Sequence, residues 1–125
     1  MNCPKCNAPM EQATFETVTI DRCTQCHGLW FDEGELARLK KLPQSQSLDI
    51  GNPAVGHKHN AIEDITCPRC QVPMKKTADI EQHHIWFETC PTCKGSFFDA
   101  GEFKDLKTYN LFDYVRGLFT HERKS

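Results

Sequence analysis

The sequence predicts a small metal-stabilised α+β fold, and three observations carry the prediction. Eight cysteines in 125 residues fall into four C-x2-C pairs. The chain is written twice, each copy holding two of those pairs. Within each copy, alternating apolar residues run into a helix-start pattern. Modules of about 40 residues bury too little surface to offset the entropy of folding unaided, so the cysteines belong to the folding mechanism.

The first copy opens Cys3-Pro4-Lys5-Cys6 and reaches Pro9-Met10; the second opens Cys67-Pro68-Arg69-Cys70 and reaches Pro73-Met74. Cys23-Thr24-Gln25-Cys26-His27-Gly28-Leu29-Trp30-Phe31-Asp32-Glu33-Gly34-Glu35-Leu36 then answers Cys90-Pro91-Thr92-Cys93-Lys94-Gly95-Ser96-Phe97-Phe98-Asp99-Ala100-Gly101-Glu102-Phe103. Val18 and Ile20 alternate with Thr19 and Asp21, a strand with one apolar face, and Ile85 and Phe87 take the matching places. Met10 to Phe15 and Met74 to Ile80 supply the hairpin partners, and Leu29 to Phe31 and Ser96 to Phe98 form short third strands. His83 and His84 fall on the strand of the second copy, where they need no special role. Asp32 with Glu35, and Asp99 with Glu102, have the spacing of a capping box, in which the first side chain accepts backbone N–H bonds and the second reaches back. Leu36 and Leu39 continue one helix until Pro43 stops it; Phe103 and Leu106 continue the other.

These patterns divide the chain into a first unit over residues 1–42, a linker over 43–62, a second unit over 63–110 and a C-terminal amphipathic helix and tail over 111–125. The linker holds Pro43, Ser45, Ser47, Gly51, Asn52, Pro53 and Gly56, which reads as flexible coil. Leu111, Phe112, Val115, Leu118 and Phe119 share one face of the terminal helix, which either packs on the second unit or serves self-association.

No secretory leader or membrane-length apolar run is evident, so a cytoplasmic protein with reduced thiols is expected. Reduced C-x2-C pairs point to metal. Two residues between ligands let one tight turn aim both sulfurs at one ion, and two such turns complete a tetrahedral S4 site with no open position for catalysis. Cys3, Cys6, Cys23 and Cys26 form one set; Cys67, Cys70, Cys90 and Cys93 form the other. Two Zn(II) ions, one per unit, are expected, with iron as the alternative that the same ligands would suit. Interleaved sites, with pairs one and three sharing an ion, are disfavoured because each copy already has four ligands. His27 follows a C-x2-C pair, as in a haem attachment site, but the second copy has Lys94 there; as a competing metal ligand His27 ranks behind Cys26.

Both copies resemble the bacterial transcription factor zinc-finger family, named for its similarity to the N-terminal zinc ribbon of transcription factor IIB. The resemblance rests on C-P-x-C-x-x-P-M, the second C-x-x-C and the G-x-[WF]-F-D-x-G-E-[LF] tail. It implies two tandem zinc ribbons with all eight cysteines as ligands, and leaves function open.

Formal net charge is −2, and eight thiolates meeting two divalent ions make it more negative, which opposes non-specific attraction to nucleic acid. A non-enzymatic recognition module binding a protein partner, in a transcription-like or other assembly, is therefore expected. Nucleic-acid binding is the alternative: Trp86 is out of phase with Ile85 and Phe87, free to stack on a base, and Arg69, Lys75, Lys76 and Lys94 are near enough in sequence to form a basic patch. A thiol-based redox or metal sensor is the third reading. No catalytic set is evident, and no membrane association is expected.

Overall fold

The structure is a computed structural model that describes residues 1–62, 64–79 and 82–108; the expected C-terminal helix lies outside the described residues. Each copy folds as predicted into a hairpin and a short third strand: β1 (Met10–Phe15), β2 (Val18–Cys23) and β3 (Leu29–Phe31), then β4 (Lys75–Ala78), β5 (Trp86–Thr89) and β6 (Ser96–Phe98). The helix α1 (Glu35–Lys41) follows β3 and stops before Pro43; residues 102–108 are helical after β6. Ile85 and the two histidines precede β5, with His83 and His84 in a turn rather than on the strand, because the backbone bends at Gln82, whose carbonyl accepts from the amide of Ile85.

The two copies join edge to edge. Strand order is β1-β2-β3-β6-β5-β4, a six-stranded sheet in which β3 pairs antiparallel with β6. Trp30 stands opposite Phe97, its own counterpart in the repeat, while Leu29 faces Phe98 and Phe31 faces Ser96. Pairing centred on equivalent residues generates a local twofold relation between the ribbons. Alternation along β3 and β6 then sends side chains to opposite faces. On one face, Phe31, Phe98 and Phe103 pack with Val18, Ile20, Leu39, Phe87 and Leu106. Phe31 meets Phe98 edge-on at 5.4 Å between centroids, and Phe87 stacks on Phe98 at 4.6 Å. On the other, Trp30 and Phe97 pack among cysteines of both copies. Both cores draw residues from both ribbons.

Residues 43–62 differ from the flexible coil expected of them. They form a 3-10 turn (Ser45–Leu48) and a helix α2 (Pro53–His59), and bury Ser45, Leu48 and Asp49. Two of the polar residues that suggested coil, Ser45 and Asn52, are caps. Ser45 Oγ donates to the carbonyl of Leu39 at 2.6 Å, closing the end of α1. The Asp49 carboxylate accepts the amides of Gly101 and Lys104 at 2.9 and 3.0 Å, at the start of helical residues 102–108. Asn52 caps α2 by accepting from the Ala54 amide, with Pro53 in the first turn. Gly56 lets α2 lie against the backbone of Ala100, where an added Cβ would fall 1.8 Å from the carbonyl oxygen. In return, Lys107 of the second ribbon donates to the terminal carbonyls of the first helix, Lys40 at 3.0 Å and Leu42 at 2.8 Å. The connection is thus packed on both ribbons.

Of the expected capping boxes the first is half realised, while in the second Asp99 accepts from Lys5 and Glu102 makes no return bond among the described residues. Glu35 reaches back to the Asp32 amide at 2.7 Å, but the N-cap of α1 is Gly34, with no side-chain bond. The Asp32 carboxylate instead accepts from the Trp30 indole at 3.0 Å and from Arg69.

Candidate metal centre

Four chain reversals build the metal-binding apparatus, and all four have the same construction. After each C-x2-C pair comes a residue with positive φ: Asn7, His27, Gln71 and Lys94, at 60–65°. Its amide returns to the carbonyl of the first cysteine, as Asn7 does to Cys3 at 2.9 Å and Lys94 to Cys90 at 3.0 Å. The first cysteine's amide meets the carbonyl two residues past the second, Cys3 to Ala8 at 2.8 Å and Cys67 to Val72 at 2.8 Å. Amides inside each turn face the leading sulfur: Lys5 N to Cys3 Sγ and Arg69 N to Cys67 Sγ at 3.4 Å, Cys26 N to Cys23 Sγ at 3.3 Å, and Cys93 N to Cys90 Sγ at 3.4 Å. Such donors stabilise negative charge on sulfur.

The turns bring Cys3, Cys6, Cys23 and Cys26 together in one set and Cys67, Cys70, Cys90 and Cys93 in the other, with the ligand atoms of each set within 4.8 Å of one another. The grouping is by copy, not interleaved, and His27 belongs to neither set. Its place is explained by the left-handed backbone of the turn, which histidine tolerates better than most residues. Sulfurs at about 2.3 Å from a tetrahedral ion lie about 3.8 Å apart. The observed separations are 3.7 Å for Cys3–Cys26, 3.4 Å for Cys6–Cys23 and 3.8 Å for Cys67–Cys93. Two clusters of four cysteines, one per ribbon, are therefore compatible with two zinc ions. All eight cysteines are free of disulfides. One sulfur in each set ionises more readily than a free thiol. The bond with Cys26 lowers Cys3 to about 5. Burial works against ionisation of Cys90, but the amides of Cys93 and Thr92 together with the Cys67 and Cys93 thiols lower it to about 7.

Around the metal turns lies a set of contacts that reading the sequence missed. Lys5 extends from the first knuckle into the second ribbon, where it pairs with Glu88 at 2.7 Å and Asp99 at 3.3 Å. Arg69 of the second knuckle reaches the first ribbon, pairing with Asp32 at 2.6 Å and Asp21 at 3.3 Å. The four acids are equivalent in the repeat: Asp21 matches Glu88 and Asp32 matches Asp99. Glycines reciprocate in the same way. The Trp30 ring lies where a Cβ on Gly95 would stand, 2.3 Å from it, and the Phe97 ring lies equally close to Gly28. The signal was present as like charge at like positions in both copies, but nothing in one copy said that its partner was the other.

The two cross-ribbon clusters differ in depth. Lys5 is fully buried with Glu88 and Asp99, whereas Arg69 and Asp32 are each 42 % exposed. Beside the buried cluster, Glu102 carries a buried Oε2 that has no hydrogen-bond partner among the described residues. Burial, reinforced by Asp99 and Glu88, raises its carboxyl to about 9. A folded-state value above the unfolded one gives stability that is full below about pH 4.5 and lost as pH rises to about 9. Glu102→Gln keeps the shape and removes that titration, so the variant should be more stable than the parent at pH 8 by about 1–3 kcal/mol. The gain should shrink toward pH 5. Urea unfolding of both proteins at the two pH values measures it, and an equal difference at both would refute the assignment.

Three of the four cations expected to form a basic patch on the second ribbon have partners within the chain. Arg69 is taken by the acids of the first ribbon, Lys76 donates to the carbonyl of Asn60, and Lys94 folds back on the carbonyl of Pro91 at 2.9 Å. Trp86 is 46 % exposed. No helix among the described residues is long and apolar enough to cross a membrane.

The family model described as transcription factor zinc-finger matches residues 2–42 and again 66–109, together about two thirds of the chain. No curated protein and no solved structure matches it significantly.

Proposed function

The chain belongs to the transcription factor zinc-finger family, and from that premise we propose that it is a non-enzymatic zinc-binding recognition module whose partner is a protein. Cys3, Cys6, Cys23 and Cys26 hold one Zn(II); Cys67, Cys70, Cys90 and Cys93 hold the second. Four thiolates saturate a tetrahedral ion, so the metal's work is to fix the ribbons rather than to activate water. Zinc in place of iron fits ribbons whose task is structural. Eight free thiols suit a reducing compartment such as the cytoplasm.

The observation that carries the choice of partner is the fate of the cations. Lys5, Arg69, Lys40 and Lys107 are engaged within the chain by carboxylates or helix-end carbonyls. Between the two N-terminal knuckles lies a cleft of about 730 Å³ whose lining is mostly uncharged, with Asn2, Pro4, Asn7, Thr66, Pro68 and Gln71 among it and Lys5 and Asp64 as its charged members of opposite sign, a mixture suited to a polypeptide. Trp86 favours a second reading, stacking on single-stranded nucleic acid. Fluorescence anisotropy of labelled single- and double-stranded oligonucleotides against the zinc-loaded protein, across a salt series, separates the two. The protein-partner reading expects no binding at low salt. Binding that weakens steeply with salt would replace it with the nucleic-acid reading. Metal analysis of the same sample should return two zinc ions per chain; one or none would refute the ligand assignment.

A further inference from the structure

We propose that the two cysteine sets load metal as one cooperative unit, because the turn that supplies two ligands to each site also supplies the cation that grips the opposite ribbon. The inference rests on the zinc reading above and goes beyond it, since two tandem ribbons would otherwise bind their ions independently.

Lys5 lies between Cys3 and Cys6, and Arg69 lies between Cys67 and Cys70. In each, the backbone amide faces the leading sulfur at 3.4 Å while the side chain crosses to the other ribbon. A metal ion that fixes the knuckle therefore fixes the direction in which the cation leaves it. Metal binding to such turns is inseparable from their folding. Capture of the first ion thus places Lys5 against Glu88 and Asp99 at the second ribbon, and capture of the second places Arg69 against Asp21 and Asp32 at the first. Lys5 also donates to the carbonyls of His59 and Ile62, which ties the connecting segment to the same knuckle.

Packing couples the sites a second time. Cys3, Cys23 and Cys26 share one core with Cys67, Cys90, Trp30 and Phe97. Trp30 closes on Gly95, two residues after Cys93, and Phe97 closes on Gly28, two after Cys26. Each ring belongs to one ribbon and is seated on the metal turn of the other. A ribbon without its ion loses the seat for its partner's ring. By linkage, the effect of either ion on the other is equal.

Native mass spectrometry of the full chain tests this. The reduced protein is freed of metal with a chelator and given one equivalent of Zn(II). Independent equal sites leave about half the molecules with one ion, and a tenfold coupling lowers that share to about a quarter. The proposal expects the one-metal form to stay below half, with metal-free and two-metal chains dominating. Phe97→Ala, which keeps all eight cysteines, should raise the one-metal form toward half. Cys90→Ser with Cys93→Ser should weaken Zn(II) at the first site at least tenfold in competition with a chromophoric chelator. A one-metal share of half or more in the parent overturns the proposal, as does an unchanged first-site affinity or no shift in the Phe97→Ala protein. Two ions at saturation with statistical filling would sink the coupling alone; failure to reach two ions at saturation would sink the zinc reading with it.

Discussion

Lys5→Met should cost the metal-loaded protein about 3–5 kcal/mol, the range expected when one member of a buried ion pair is removed. The Lys5 side chain has no solvent exposure, and those of its partners Glu88 and Asp99 are 5 % and 1 % exposed. Methionine fills much of the same volume, so the loss comes from electrostatics. Two carboxylates that burial already pushes toward the neutral form would lose the ammonium that holds them down. They would share their site with Glu102 and keep only the charge of Lys76 to offset three acids. Arg69→Met is the internal control. It removes the equivalent cation at the equivalent place in the repeat, but from a pair 42 % exposed on each side, and should cost at most about 1 kcal/mol. Chemical unfolding of the two variants in zinc-containing buffer measures the difference. Equal costs would show that depth does not distinguish the two clusters.

Gly95→Ala should be as severe, at about 3 kcal/mol or more, because it overpacks a site with no slack. The new methyl would stand 2.3 Å from the Trp30 ring, which is fully buried among Phe97 and the cysteines of both sets. Gly28→Ala meets Phe97 at the same distance and should behave alike. The two effects have a shared signature. Trimming the opposing ring makes room for the methyl, so Gly95→Ala combined with Trp30→Leu should be less damaging than the sum of the single changes. Thermal unfolding of the three variants decides it. If the double variant simply adds the two losses, the close approach of ring to glycine is not what excludes a side chain there.

Both predictions concern contacts between the ribbons, which is where reading the sequence fell short. Strands and metal turns were legible because their causes are local. Alternation of Val18 and Ile20 with polar neighbours makes one apolar face, and C-x2-C spacing makes one turn; β3 and β6 begin and end at the residues expected. The gathering of cysteines by copy followed from the repeat. What joins the copies is not local. Lys5 finds Asp99 across 94 residues, and Gly28 is explained by the ring of Phe97 in the other copy. Asp32 and Asp99 looked like helix caps because the spacing to Glu35 and Glu102 permits it, yet the cross-ribbon cations claim them. Residues 43–62 misled for the same reason. Ser45 and Asp49 have the composition of coil, and their partners Leu39, Gly101 and Lys104 lie outside the segment. Short polar side chains look idle until the backbone groups they satisfy are known.

The pairing of Trp30 with Phe97, its own equivalent, has a consequence for how the assembly depends on concentration. A surface that meets its own copy is self-complementary, the property by which separate chains form twofold dimers. Here both halves sit on one polypeptide, and the connection over residues 43–62 holds the second half at an effective concentration on the order of millimolar. An association that separate chains would lose on dilution becomes an intramolecular step, equally complete in a dilute cell extract and in a concentrated stock.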